Sequence, residues 1–171
     1  MPHIHDLIDL TVSAYIVYDD KILLMHHKKL GAWMQVGGHV ELHEDTDEAI
    51  AREIEEECGV EVTFVEPIDH VTLEGSKLLR LPHFMNLHDY SPTHKHLDLA
   101  YVCLAKSSAC RLAPEEAREI GWFGREEFDR LNLFDGVRYF CEKALDIAAK
   151  ARLGLTRLST VLGETEDLDE A

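Results

Sequence analysis

The sequence of 171 residues predicts an α/β fold, because two strand regions and a long helix can be recognised in it. Residues 10–29 alternate loosely and are rich in Val, Ile and Tyr, which is typical of strands. The pair Asp19-Asp20 divides this region and predicts a tight turn between two strands. Residues 96–105 alternate cleanly and predict a further strand. Residues 136–152 place apolar side chains at helical spacing and predict the long helix.

The segments between these elements complete the predicted architecture. They are a loop at 30–45, a strand in the first half of 60–73 that Pro67 interrupts, an irregular connection at 74–95, a short strand at 119–123 and a short helix at 125–131. We expect residues 1–155 to form one domain. Residues 156–171 are rich in acids and predict a C-terminal tail that frays.

The composition restricts the partners that the chain is expected to have. A net charge of -16 disfavours long nucleic acids, since binding to them depends on Lys and Arg displacing counterions from phosphates. No apolar run approaches the length needed to cross a bilayer, and the N-terminus lacks the pattern of a secretory signal. We therefore expect a cytoplasmic protein that binds neither long nucleic acid nor membrane. Its four scattered cysteines are expected to be free thiols.

The segment from Gly38 to Val60 is unusually acidic, and most of it is predicted to be helical. Asp45, followed three residues later by Glu48, forms the pattern of a capping box at a helix start. Gly59 is a typical helix stop. The loop at 30–45 therefore leads directly into this helix.

Two faces of the predicted helix differ in character. Glu53, Glu56 and Glu57 lie three and four residues apart, so their carboxylates share one face. A separate apolar stripe can face the core, and it consists of Ile50, Ile54 and Cys58. Hard divalent ions such as Mg²⁺ prefer oxygen ligands, so the acidic face beside a glycine-rich loop predicts a cation site. The alternative is a solvated acidic face without a function.

The acids belong to a longer pattern, Gly-x5-Glu-x7-Arg-Glu-Ile-x-Glu-Glu-x-Gly-Val, which runs from Gly38 to Val60. This pattern resembles the signature of the Nudix hydrolases at every fixed position. The order of elements over residues 10–131 is also similar to that family. One departure is Val36, where many members have a proline before the paired glycines. The resemblance implies a Nudix-type α/β/α sandwich with a mixed β-sheet.

The resemblance also implies a reaction, which is hydrolysis of a pyrophosphate bond in a small nucleoside diphosphate linked to a moiety X. Nucleoside triphosphates, nucleotide sugars and similar compounds all remain open as substrates. The implied cofactor is Mg²⁺, with Mn²⁺ as a possible substitute. Its implied ligands are the carbonyl oxygen of Gly38 and the carboxylates of Glu53, Glu56 and Glu57. Within this resemblance the chain is expected to act as a monomer or a homodimer.

Two catalytic roles remain to be assigned within the resemblance. Arg52 is expected to pair with Glu44 and so to orient the metal-binding face, without touching substrate. The group that accepts a proton from the attacking water varies within the family. Glu53 is the first candidate, and Asp98 and Glu119 are alternatives outside the pattern.

The strand at 96–105 and the residues before it carry a second group of candidate ligands. His94, His96 and Asp98 occupy alternating positions, so all three project from one face of an extended strand. They predict a transition-metal site completed by His83 or His88, or polar contacts to substrate, or hydrogen-bonded structural residues. The residues alone leave these three interpretations open.

Substrate contacts are expected from the glycine loop, the histidine strand and the basic segment "MHHKK". The candidates are Lys28, Gly37, Gly38, His96 and Asp98. Trp33, Phe84 and Tyr101 are candidates for stacking on a base, although aromatic side chains in strands are more often part of the core.

Two other functions compete with hydrolysis. One is a non-catalytic Nudix-like module that senses a nucleotide and regulates a partner. Such modules usually lack acids of the pattern, whereas Glu53, Glu56 and Glu57 are all present. The other is isomerisation of an isoprenoid diphosphate, which uses a related scaffold and an active-site cysteine that no position here clearly supplies.

Overall fold

The computed structural model describes residues 7–66 and 74–155, and the backbone of residues 157–160. Its strands are β1 (Ile8–Tyr18), β2 (Lys21–His27), β3 (Ala32–Met34), β4 (Val36–His39), β5 (Val62–Glu66), β6 (Phe84–Ser91), β7 (His94–Ala105), β8 (Ala117–Phe123) and β9 (Arg157–Thr160). Its helices are α1 (Thr46–Glu57), α2 (Asp135–Arg152) and a short 3₁₀ helix at Arg125–Arg130. The helices predicted from the sequence are thus all found in this part of the chain.

All of these strands belong to one mixed sheet. β1 and β7 lie at its centre and run parallel to each other, with Ile8 opposite Lys95 and Val17 opposite Leu104. The strand order is β3-β2-β1-β7-β5-β9, and β4, β6 and β8 pair in addition with β1, β7 and β2. These other pairs are antiparallel. The prediction of an α/β fold with a mixed sheet is confirmed.

Alternate residues of β1 contribute to two hydrophobic cores, one on each side of the sheet. Val12 and Ile16 pack with Ile54 of α1 on one side. Tyr15 and Val17 pack with buried residues of α2 on the other. The sheet is therefore covered by a helix on each face, as the predicted sandwich requires. Neither α1 nor α2 has the length and apolar character needed to cross a membrane.

The first hairpin forms where the sequence predicts it. Val17 lies opposite Ile22, and the two turn residues Asp19 and Asp20 have φ angles of 48° and 59°. Positive φ at both turn positions matches the right-handed twist of paired strands, and Asp tolerates this conformation better than most residues.

Helix α1 also begins and ends at the predicted residues. The Asp45 side chain accepts hydrogen bonds from the backbone N–H groups of Asp47 and Glu48, and the Glu48 side chain accepts one from the Asp45 N–H. At the other end Gly59 has a φ of +59°, and its N–H donates to the carbonyl oxygen of Ile54 at 2.8 Å. The predicted apolar stripe is buried, and it consists of Ile50, Ile54 and Cys58.

The structure corrects two segments predicted to lack regular structure. Within the predicted loop at 30–45, β3 pairs with β2, and β4 pairs with β1 between Val36 and His39. Within the predicted irregular connection at 74–95, β6 forms a hairpin with β7. β4 contains two glycines and pairs with the distant β1, so this pairing decides its conformation. β6 pairs with the adjacent β7 across residues 92–93, and its polar residues give it little intrinsic strand propensity.

The C-terminal segment is only partly described. The backbone of residues 157–160, which the sequence assigns to the tail, forms β9 against β5. The sheet therefore continues beyond residue 155. Residues 161–171 lie outside the described part, as do residues 67–73, where the interruption at Pro67 was predicted.

The burial of one histidine makes the stability of the fold depend on pH. The Nδ1 atom of His83 accepts a hydrogen bond from the Val102 N–H at 3.3 Å, and burial lowers the pKa of His83 to about 4 from an ordinary value of 6.5. The unfolded chain binds a proton at His83 more readily than the folded chain does. The contribution of neutral His83 to the free energy of unfolding is therefore complete above pH 6.5 and is lost as the pH drops toward 4.

We predict that His83→Asn, which keeps an acceptor but does not titrate, loses part of this pH dependence. The expected difference is about 1 to 3 kcal/mol between pH 7 and pH 4. Urea unfolding of both proteins across this range measures it. If stability varied with pH in parallel for the two proteins, His83 would not be a source of the pH dependence.

Candidate active site

The acidic face of α1 lies directly beneath the paired glycines of β4. Glu57 is only 6% exposed, and its Oε2 accepts a hydrogen bond from the Gly37 N–H at 2.8 Å. Glu53 is 9% exposed and lies against Gly38. Glu56 is different, because its side chain is 60% exposed. Two of the three predicted carboxylates are therefore held inside the site and the third lies at its rim.

Arg52 joins these acids to the loop. Its Nε and Nη2 donate to the two carboxylate oxygens of Glu44 at 3.0 and 2.7 Å, which is the predicted pair in bidentate form. Its Nη1 donates to Glu53 at 2.9 Å and to Glu56 at 3.1 Å. Its Nη2 also donates to the carbonyl oxygen of His39 at 3.0 Å. One guanidinium thus contacts three carboxylates and the end of β4.

Burial changes the proton affinity of the two inner acids. Desolvation raises the pKa of Glu57 to about 8, and the charges of Glu53, Glu116 and Glu56 add to the effect. Desolvation also raises the pKa of Glu53, although the hydrogen bond from Arg52 opposes the shift. The site therefore concentrates carboxylates whose charge the chain compensates poorly, and a divalent cation stabilises such a group.

The paired glycines are required by close contacts on both sides. Gly37 has a φ of +147°, and a Cβ atom there would lie 2.1 Å from the carbonyl oxygen of Val12. A Cβ atom on Gly38 would lie 2.3 Å from the Glu53 carboxylate. Val36, which stands where many family members have proline, is fully buried and lies opposite Ala14 of β1. Strand pairing therefore orders this loop without the proline.

The donor set fits a hard divalent cation. Glu53, Glu56 and Glu57 offer oxygen ligands only, and the absence of a side chain at Gly38 lets the Glu53 carboxylate reach the backbone. Oxygen ligands from carboxylates and carbonyl groups are those that Mg²⁺ and Mn²⁺ prefer.

The structure separates Asp98 from this acidic site. Asp98 is 5% exposed, and its Oδ1 accepts hydrogen bonds from the hydroxyl groups of Thr11 at 3.0 Å and Ser13 at 2.9 Å. Its Oδ2 lies 3.4 Å from the amide of Asn86. These partners belong to β1 and β6, on the sheet face opposite α1, so Asp98 organises a polar network on that face.

The predicted grouping of His94, His96 and Asp98 is also rearranged. His94 pairs with Asp9 of β1 at 2.7 Å, while Asp98 forms the network described above. His83, which directly precedes β6, contacts β7 at Val102, further along that strand than His94 and His96. The acid beside the two histidines is therefore Asp9.

Lys28 lies at the end of β2, next to the segment before β8. Its backbone N–H donates to the backbone carbonyl oxygen of Glu116 at 3.0 Å, and its Nζ donates to the carbonyl oxygen of Pro114. The charge of Glu116 in turn acts on Glu57. Glu119, the other distant candidate base, is exposed on β8.

The three candidate stacking residues contact other protein rings. Trp33 lies 4.7 Å from Phe123, and Phe84 stacks on Phe140 at 4.8 Å between ring centroids. Tyr101 meets Phe64 edge-on at 6.2 Å. These contacts belong to the cores on the two faces of the sheet.

Three residues near these sites were not predicted from the sequence, namely Asp9, His39 and Glu116. Asp9 lies opposite His96 in the parallel register of β1 and β7. His39 directly follows the paired glycines and lies opposite Thr11. An alternation of polar residues at Asp9, Thr11 and Ser13 was the available signal, because it places them on one face of β1.

A family model described as the NUDIX domain matches residues 8–142 of the chain. The chain belongs to the Nudix family. The match extends from the first strand into α2, so it covers both the acidic helix and the central strands of the sheet. The resemblance seen in the acidic pattern is thereby confirmed.

Individual relatives agree with this assignment. The chain is 30% identical over 112 residues to the CTP pyrophosphohydrolase of Escherichia coli (strain K12). This alignment covers 61% of this chain and 83% of that protein. A Nudix-family hydrolase from Clostridium perfringens has a similar structure, with a TM-score of 0.74, 35% identity and coverage of 82% of this chain and 97% of its own. A MutT Nudix hydrolase from Burkholderia pseudomallei, at 24% identity and a TM-score of 0.55, shares the fold over 82% of this chain and 98% of its own.

We predict that alanine substitutions at the two adjacent Nudix glycines have different effects. Gly37→Ala meets backbone atoms and an unfavourable φ, so it is expected to cost at least about 2 kcal/mol of folding free energy. Gly38→Ala meets the end of a flexible side chain, so the fold is retained while the displaced Glu53 weakens Mn²⁺ binding. Thermal unfolding and Mn²⁺ titration measure the two effects. Equal loss of stability in both variants would contradict this account.

Proposed function

We propose that the protein is a Mg²⁺-dependent hydrolase that cleaves a pyrophosphate bond in a nucleoside diphosphate linked to a moiety X. The observation that carries this proposal is the burial of Glu53 and Glu57 beneath Gly37 and Gly38. Arg52 holds Glu53, and the Gly37 N–H holds Glu57. Membership of the Nudix family and a relative named as a CTP pyrophosphohydrolase both support it. Nucleoside triphosphates are therefore the first substrates to test, with nucleotide sugars next.

The metal would be held by the carboxylates of Glu53, Glu56 and Glu57 and by the carbonyl oxygen of Gly38. A bound Mg²⁺, or Mn²⁺ in its place, would neutralise the diphosphate and polarise its phosphorus–oxygen bonds. The pattern of burial supports unequal roles for the ligands. Glu57 is buried and oriented by the Gly37 N–H, whereas Glu56 is exposed and held by Arg52 alone among the contacts described above.

Arg52 and Glu44 act as positioning residues. The bidentate pair fixes the guanidinium, and the guanidinium then orients Glu53 and Glu56 from one side. Loss of Arg52 would leave the acids both misplaced and less compensated in charge. Its substitution should therefore weaken metal binding as well as turnover.

Glu53 is the proposed proton acceptor for the attacking water. Its Oε1 accepts a hydrogen bond from Arg52, which leaves Oε2 as the oxygen that would accept the proton. The hydrogen bonds of Asp98 to Thr11, Ser13 and Asn86 argue against that residue as the base.

We also propose which groups contact the substrate. Gly37 and Gly38 would allow the diphosphate to approach the backbone closely, because neither carries a side chain. Lys28 would attract phosphate from the end of β2. His96 and Asp98, which the sequence predicted as substrate contacts, lie on the sheet face opposite α1, so neither is proposed to contact the diphosphate. The proposed setting is the cytoplasm, with the enzyme acting as a monomer or homodimer.

Hydrolysis of a compound panel tests the proposal. Purified protein with Mg²⁺ should release phosphate, pyrophosphate or nucleotide from at least one member of a set that includes CTP, other nucleoside triphosphates and nucleotide sugars. Glu56→Gln and Glu57→Gln should each lower kcat by about 100-fold or more while the protein stays folded.

Glu55→Gln provides a matched control on the same helix. The Glu55 side chain is 71% exposed and pairs with Arg111 at 3.0 Å, away from the acidic site, so its substitution should leave turnover unchanged. Absence of turnover in the parent, together with equal nucleotide binding by the parent and both site variants, would contradict hydrolysis and favour a sensor.

A further inference from the structure

A second cluster of candidate ligands lies where β1 and β7 begin. We call it the histidine cluster, and it consists of Asp9, His39, His94 and His96. One ligand atom from each of Asp9, His94 and His96 lies within 4.8 Å of the others. Within the described part of the chain, this group is the one that brings three such atoms so close together.

The hydrogen bonds and ring contacts of the cluster are specific. His94 Nε2 lies 2.7 Å from the Asp9 carboxylate, and His39 Nε2 lies 3.4 Å from the same oxygen. The rings of His39 and His96 are 4.9 Å apart and nearly perpendicular. Tyr90 stacks on His96 with a centroid distance of 4.6 Å and an interplanar angle of 12°, so it covers one face of that ring.

His96 carries an unused donor or acceptor in this cluster. Its Nε2 is buried and has no hydrogen-bond partner among the described residues. Buried polar atoms usually have a partner, because leaving one unpaired costs free energy. A ligand that accepts the lone pair of this nitrogen would remove that cost.

The sheet itself places these groups together. Asp9 lies opposite His96 in the parallel pair of β1 and β7, and His94 lies two residues earlier on the same side of β7. His39 belongs to β4, which pairs with the following residues of β1. Two backbone ladders, β1 with β7 and β4 with β1, thus hold the ligands in place, so little conformational entropy would be lost on binding an ion.

We propose that Asp9, His94 and His96 bind a transition-metal ion of the Zn²⁺ class, with His39 in position to complete the site. Imidazole nitrogens favour Zn²⁺ and Co²⁺ over Mg²⁺, whereas the acidic face of α1 offers oxygen ligands alone. In a tetrahedral zinc site, neighbouring ligand atoms are about 3.3 to 3.5 Å apart. The ligand atoms lie within 4.8 Å of one another, so side-chain rotations would have to shorten their separations by at most about 1.5 Å. The ion would take the place of the hydrogen between the Asp9 carboxylate and His94 Nε2, which would be released to solvent.

The proposed site is separate from the acidic site but adjoins it. His39 directly follows Gly38, and the carbonyl oxygen of His39 accepts a hydrogen bond from Arg52 at 3.0 Å. An ion in the histidine cluster would tie the beginning of β1 and β7 to the strand that carries the paired glycines. The ion would therefore stabilise the folded chain and the edge of the acidic site together.

Cobalt titration tests the proposal, because tetrahedral Co²⁺ has intense visible absorption bands. Protein purified without a polyhistidine tag, in an excess of Mg²⁺ that saturates carboxylate sites, should bind one Co²⁺ with this spectrum. Zn²⁺ should displace the Co²⁺ and raise the melting temperature. His96→Ala and His94→Gln should each weaken Co²⁺ binding at least about tenfold and abolish the thermal shift.

Two controls distinguish the site from other sources of binding. His43→Ala removes an exposed histidine outside the cluster and should leave the Co²⁺ spectrum unchanged. The double variant Glu53→Gln with Glu57→Gln should keep the spectrum even if turnover is lost, so failure of the hydrolase proposal would not affect this result. Co²⁺ binding that survives both histidine substitutions, or that disappears in the glutamate variant, would overturn the proposal.

Discussion

The site depends on the contacts of one guanidinium group with three carboxylates. Arg52 contacts Glu44, Glu53 and Glu56, whose carboxylates would otherwise repel one another. These contacts hold the acidic face of α1 in one arrangement against β4. The compensation is incomplete, because one positive charge faces three negative ones, with Glu57 close by under the Gly37 N–H. This residual negative charge is what makes the site suitable for a divalent cation, and it also requires a rigid support that prevents the acids from turning outward.

That support comes from the sheet. β4 pairs with β1 through the paired glycines, and a side chain at either glycine would collide with β1 or with Glu53. On the helix side, the capping box at Asp45 and the buried stripe that includes Ile50 and Ile54 fix the rotation of α1. The acidic face is therefore positioned by the core and by strand pairing. The paired glycines of β4 thus line the acidic site and also form the strand pair with β1 that stabilises the fold.

The sequence predicted well those features that depend on neighbouring residues. The turn at Asp19-Asp20, the start of α1 at Asp45 and the pair of Arg52 with Glu44 all follow from local patterns or from a fixed motif spacing. It failed for β6, whose polar composition gives little strand signal although it pairs with the adjacent β7, and for β4, whose conformation depends on pairing with the distant β1. The same reason explains why Asp9 was missed as a neighbour of His96, since only the parallel register of β1 and β7 brings the two together.

Metal binding by Glu53, Glu57 and Gly38 is tested most directly by a crystal structure of the protein soaked with Mn²⁺, with the metal located by anomalous scattering. We expect an anomalous peak about 2.0 to 2.4 Å from carboxylate oxygens of Glu53 and Glu57 and from the carbonyl oxygen of Gly38. We also expect that Arg52 retains Glu44 in that crystal. A structure in which Mn²⁺ binds elsewhere while these glutamates stay free of metal would contradict the account.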